Sequence, residues 1–337
     1  MLADPVGELR SNGNISKQSA PPPRFDPSGT SECRQSNGNF RFDAMIVRLI
    51  KKLFSGSEGM TKLGLLMRGR LNTIPNRTPA CRDASLTNRN GSFFCNNIMS
   101  PARRALISIT SASATLFNGK ETTGLFISEA LHPYKVLRAA GFEVDLASET
   151  GTYTPDWLSQ QPDFLNGDDL ATWNDTNSEF RKKLDNMPKA SELDPSKYDL
   201  FYASAGHAAL IDYPTASSLQ NIAAQVWASG GVVSTVCHGP AIFANLIDPT
   251  TNELLIKGKK ITGFTTEAEN TMKIMDELRS WDREMVEEVA ARLGATYERA
   301  PGIWDDFHVV DGRLVTGQNP ASATSTAQAA VDVFEKL

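Results

Sequence analysis

Cysteine is scarce in this chain. Of 337 residues only four are cysteine; Cys33, Cys81 and Cys95 fall in the first hundred, which leaves Cys237 alone in the rest. That excludes a disulfide framework for the later part and fits a reducing compartment, with the cytoplasm expected. Histidine is as rare, with four residues, and His207 has no second histidine at the spacing of a metal motif, so no metal is expected. Long apolar runs are missing too. Candidates such as 44–47 and 63–67 are short and bounded by charged residues, far short of the roughly 18 residues that a membrane span needs. Positive charge is short after residue 100: 20 Lys and Arg stand against 32 Asp and Glu, where residues 1–100 hold 14 against 7. An acidic main part excludes nucleic acid as its chief partner, because phosphate binding needs clustered cations.

Periodicity is absent from residues 1–98, which are rich in Ser, Asn, Gly, Pro and Arg. They read as a disordered or low-complexity N-terminal extension. Within it, 42–54 has the pattern of a basic amphipathic helix. Such a segment suggests a transit peptide, but Asp4, Glu8 and the late position of the helix weigh against mitochondrial targeting; nuclear residence stays open.

From 99 onward the pattern is that of an α/β enzyme domain ending at 337. Apolar runs at 104–110, 142–147, 198–203, 232–236, 260–264 and 313–316 predict strands. Helical spacing at 124–140, 216–228, 281–293 and after Asn319-Pro320 predicts helices, and a further one opens at 241–246. Strands alternating with helices imply a mostly parallel sheet covered on both faces, with sites at the carboxyl ends of strands. Residues 150–195 are polar and too long for a plain connection, so they are expected to form a cap insertion.

Two strand ends carry chemistry: Gly206-His207 and Cys237-His238-Gly239-Pro240. A strand–nucleophile–helix turn presents Cys237 as on a nucleophile elbow, and a helix N-terminus stabilises a thiolate. His238 can serve as base or relay, and Glu267 or Glu269 can orient it. Glu129 sits among apolar neighbours on a predicted helix; burial would raise its pKa and make it a proton donor to the sulfur. N–H groups at Gly206 and His238 are candidate oxyanion donors, with His207 and Gly239 beside the pocket.

Six blocks, in order, resemble one family: Gly124-Leu125-Phe126-Ile127-Ser128-Glu129-Ala130-Leu131-His132-Pro133, Ser204-Ala205-Gly206-His207, Gly230-Gly231-Val232-Val233, Val236-Cys237-His238-Gly239-Pro240-Ala241-Ile242-Phe243, Ile261-Thr262-Gly263-Phe264-Thr265 and Gly317-Gln318-Asn319-Pro320-Ala321-Ser322. They look like the DJ-1/PfpI superfamily, and within it the fungal Hsp31-like branch of glutathione-independent glyoxalases, also described as chaperones. The resemblance implies a flavodoxin-like sandwich, a homodimer, and conversion of methylglyoxal, a 2-oxoaldehyde, to D-lactate without glutathione, metal or other cofactor. It implies Cys237 as nucleophile, His238 as its histidine and Glu129 as the helix carboxylate. Its spacing selects Glu269 over Glu267 as the acidic third member, although two acids compete there. Two other classes use the same residues differently: a cysteine amidase or peptidase-like hydrolase, and a chaperone without catalysis, whose exposed apolar patch residues 150–195 would supply.

Overall fold

A computed structural model of the protein describes residues 103–337. The expected N-terminal extension, the helix at 42–54, and Cys33, Cys81 and Cys95 lie outside the described residues. Six strands form the central sheet: β1 (Arg104–Ile109), β2 (Glu143–Ser148), β3 (Leu200–Ala203), β4 (Val232–Val236), β5 (His308–Asp311) and β6 (Leu314–Gly317). Their order is β5-β6-β4-β3-β1-β2. All pairings are parallel except β5 with β6. β3 and β4 are buried along their whole length, the pattern of strands covered on both faces. Helices α1 (Ile127–Ala139), α4 (Ser217–Ala228) and α8 (Ala323–Phe334) are the long ones. α1 and α8 pack against each other and the sheet, while α4 packs on β3 and β4. This is a flavodoxin-like α/β sandwich.

The cap region, 150–195, holds α2 (Gly167–Asn174), α3 (Glu179–Asp185) and single turns. Its aromatics do not form an exposed patch. Phe180 is 1% exposed, and Trp157, Phe164 and Trp173 are partly buried against the core. The large exposed apolar side chains are Leu170, Ile247, Val310 and Leu337, each on a different element. No helix among the described residues is long and apolar enough to cross a membrane.

Four expectations change. The helix expected at 124–140 starts at Ile127, because residues 124–126 run extended: the Leu125 N–H donates to Thr154 O (2.7 Å) and the Phe126 N–H to Ala205 O (2.8 Å). The strand expected at 260–264 reduces to Lys260–Ile261, paired with Thr296–Tyr297 outside the main sheet. β6 already occupies the place beside β4, and the Thr262 N–H donates to the Thr316 hydroxyl instead (2.8 Å). The helix expected at 281–293 starts only at Val286, as α7 (Val286–Arg292): Asp282 turns the chain with φ +53° after a separate helix, α6 (Met275–Ser280). The helix after Cys237 is a 3-10 helix, Gly239–Asn245. Unexpected from the pattern are β5 and helix α5 (Thr266–Met272).

Candidate active site

β4 ends at Val236, and Cys237 turns the chain with φ +59°. A non-glycine residue there costs roughly 1–2 kcal/mol. Two backbone bonds hold it: the Cys237 N–H donates to Gly317 O on β6 (3.0 Å), and Cys237 O accepts the Phe264 N–H (2.8 Å). The strained turn lifts the side chain off the sheet into a narrow pocket lined by Phe126, Leu158, Phe164, Gly206, His207, Phe264, Met272 and Trp304 as well as Cys237.

The Cys237 sulfur lies 3.2 Å from His238 Nδ1, and His238 Nε2 lies 2.6 Å from Glu269 Oε1. The second oxygen of Glu269 is 3.1 Å from His207 Nε2. One carboxylate therefore joins two imidazoles whose rings are 4.5 Å apart, and Phe264 stacks on His238 at 4.7 Å. All of this is buried: Cys237 is 3%, His207 6%, His238 1% and Glu269 1% exposed. The competing acid, Glu267, is an exposed partner of Arg299. α5 explains the difference, since residues two apart on a helix point about 200° apart, and the Thr265 hydroxyl caps the helix by accepting the Ala268 N–H (3.0 Å).

Glu129, in the first turn of α1, is fully buried. Its Oε2 accepts the Ala205 N–H (3.1 Å), its Oε1 is buried without a hydrogen-bond partner, and the Cys237 thiol is near enough to act on its ionisation. Gly206 follows with φ +146°, and a Cβ there would stand 2.0 Å from Gly124 O; only glycine lets this loop close on the extended segment before α1. Gly239 is not a pocket wall. It packs beneath the elbow, where a Cβ would meet Ala203 O at 2.7 Å.

Burial pushes the Glu129 carboxyl up to about 8, against the pull of the Cys237 thiol and the His207 charge. Burial and then the Glu129 charge push the Cys237 thiol well above its ordinary range. The helix that follows the elbow is a short 3-10 helix, Gly239–Asn245, so burial and the neighbouring acid oppose the thiolate that a helix N-terminus would favour. The His238 N–H acts in the opposite direction but is outweighed. Burial also opposes ionisation of Glu269, yet the two histidines outweigh it and bring the carboxyl down to about 2. Burial, then the His207 charge, lowers His238. Burial works against a charged His207 as well, but Glu269, Asp156 and Glu129 raise it overall. His207, His238 and Glu269 present three ligand-type atoms within 4.8 Å of one another; their mutual hydrogen bonds account for that closeness without an ion.

The structure thus gathers Cys237, His238, Glu129, Glu269, Gly206 and His207 at one pocket and leaves Glu267 outside. Asp156, 4% exposed beside the pocket, gives no sign in the sequence, where it is one acid in a polar stretch.

A sequence profile of the DJ-1/PfpI family matches residues 116–332. Glyoxalase 3 of Candida albicans is 51% identical over 232 residues, covering 69% of this chain and 98% of the relative. The glutathione-independent glyoxalase HSP31 of Saccharomyces cerevisiae is 45% identical over 233 residues, with the same coverage. The crystal structure of glyoxalase III from Candida albicans superposes with a TM-score of 0.68 at 50% identity, over 70% of this chain and 98% of that one. Taken with the parallel sheet and the cysteine elbow, these matches show that the chain belongs to the DJ-1/PfpI family.

Proposed function

We propose that this protein is a glutathione-independent glyoxalase that converts methylglyoxal to D-lactate at Cys237, with residues 99–337 as its catalytic unit. The observation that carries the reading is His238 Nδ1 at 3.2 Å from the Cys237 sulfur, with the fully buried Glu129 carboxyl, held by the Ala205 N–H, next to the same pocket. A hydrolase needs the histidine; moving hydrogen between adjacent carbons calls for the second acid as well. The relatives named as glyoxalases support it.

The steps balance as follows. The Cys237 sulfur attacks the aldehyde carbon, its proton passes to His238 Nδ1, and Glu129 protonates the aldehyde oxygen, which gives a hemithioacetal. Glu129, now a carboxylate, removes the hydrogen from that carbon, and His238 protonates the ketone oxygen to form the enediol. Glu129 returns the proton to the second carbon while His238 takes the proton of the first hydroxyl. The first carbon is oxidised to a thioester and the second reduced to a carbinol, so no external oxidant is needed. Water then attacks the thioester, giving its proton to Glu129, and His238 returns a proton to the leaving sulfur. Glu269 keeps His238 oriented throughout. Gly206 and the His238 N–H face the oxyanion position. A reducing compartment such as the cytoplasm suits this thiol, and a homodimer is part of the same reading.

Full-length protein given methylglyoxal without glutathione should release D-lactate, and Cys237→Ala should fall to background. Turnover surviving that substitution would sink the mechanism. The Cys237–His238–Glu269 distances also suit acyl transfer; release of a chromogenic amide product without any D-lactate would favour a hydrolase.

A further inference from the structure

Asp156 lies at the end of the turn that pairs with residues 124–126. Its N–H donates to Leu125 O (2.8 Å), and its Oδ1 accepts the Ser159 N–H (2.9 Å). The carboxylate is thus pinned by backbone, yet only 4% exposed. It borders a small side pocket that shares Leu158, His207 and Met272 with the substrate pocket. A buried carboxylate needs a positive partner or a proton. Among the residues lining this side pocket, His207 is the one side chain able to carry positive charge. His207 in turn is bound on its other side to Glu269.

We propose that Asp156 is a positioning residue: with Glu269 it brackets His207 and keeps that imidazole charged, so that Glu269 stays an acceptor for a neutral His238. This rests on the glyoxalase reading, in which His238 must accept the thiol proton. The groups that face His207 are Glu269 from α5, His238 and Cys237 from the elbow, Glu129 from α1 and Asp156 from the cap; Glu121 stands at the rim of the side pocket. Three carboxylates favour the cation, and Asp156 ranks behind Glu269 among them. Burial raises the Asp156 carboxyl overall; the His207 charge is the first influence opposing that rise, ahead of the Ser159 N–H, the Thr123 hydroxyl and the Leu158 N–H. The His207 charge also keeps a proton off His238.

The test uses the full chain with 15N-labelled histidine. The four histidines of the sequence limit the spectrum to four imidazoles. In the wild type His207 should be protonated and His238 neutral at pH 7. In Asp156→Asn the His207 midpoint should drop by about one pH unit, and that of His238 should rise. The pH profile of kcat/KM should then narrow from both sides, with about a tenfold loss on the alkaline limb, and Asp156→Glu should restore it. A neutral His207 in the wild type at pH 7, or an unmoved His207 midpoint in Asp156→Asn, overturns the proposal. The wild-type titration decides even if the variant fails to fold. It also needs no turnover, so absence of D-lactate would defeat the glyoxalase reading without touching this result.

Discussion

Glu129 is the residue at which stability and chemistry conflict. Its carboxyl holds a proton up to about 8 in the folded protein, whereas an exposed glutamate releases it near 4.3. Between those values unfolding releases a proton, so stability falls as pH rises through the window. Glu129→Gln removes this dependence. The variant should be more stable than the wild type at pH 7 to 8, by on the order of 3 kcal/mol, and should lose about 10²- to 10⁴-fold in D-lactate formation. Urea melts at pH 5 and pH 8 check the first part: a wild type equally stable at both would refute it. At this scale the sequence was informative about Cys237, His238 and Glu129, each marked by its neighbours. It was silent on Asp156, which reaches the side pocket beside His207 only because the fold brings together residues 51 positions apart.

At the scale of elements, the site is made where three separate stretches close on one another. The extended residues 124–126 bond to the cap turn at Thr154 and to the loop at Ala205, and this brings Glu129 to the end of β4. Gly206 permits the closure. Gly206→Ala would place a Cβ 2.0 Å from a backbone oxygen in a φ of +146°. It should destabilise the protein by about 3 kcal/mol or more and lower kcat, because the loop must withdraw from Glu129. Thermal unfolding within a degree of the wild type would contradict this account. The strands and long helices were legible because an apolar run or a helical stripe marks them. α5 was not: Thr266–Met272 is seven residues long with a single turn of apolar side chains, too short for a period. Missing that helix is why the sequence left Glu267 and Glu269 in competition. The late start of α7 has no mark in the sequence for a related reason, since an aspartate in a left-handed conformation, Asp282, has no periodic signature.

For the whole molecule, relatives that align over 98% of their own length cover only 69% of this chain. The catalytic unit is therefore expected to work without the first 98 residues. A fragment 99–337 should keep kcat/KM for methylglyoxal within about twofold of the full chain and should melt at a similar temperature; a fragment that folds but is inactive would assign those residues a part in the site.

The amino-acid order alone determined the parallel α/β layout, the cysteine at a strand end and the acid among apolar neighbours on a helix, because these depend on local pattern and on neighbours in the chain. Only the tertiary structure decided which acid hydrogen-bonds His238, that His207 shares it, and how deeply Cys237 is buried. Those outcomes depend on burial and on charges brought together from distant segments. Neither quantity can be read from spacing along the chain.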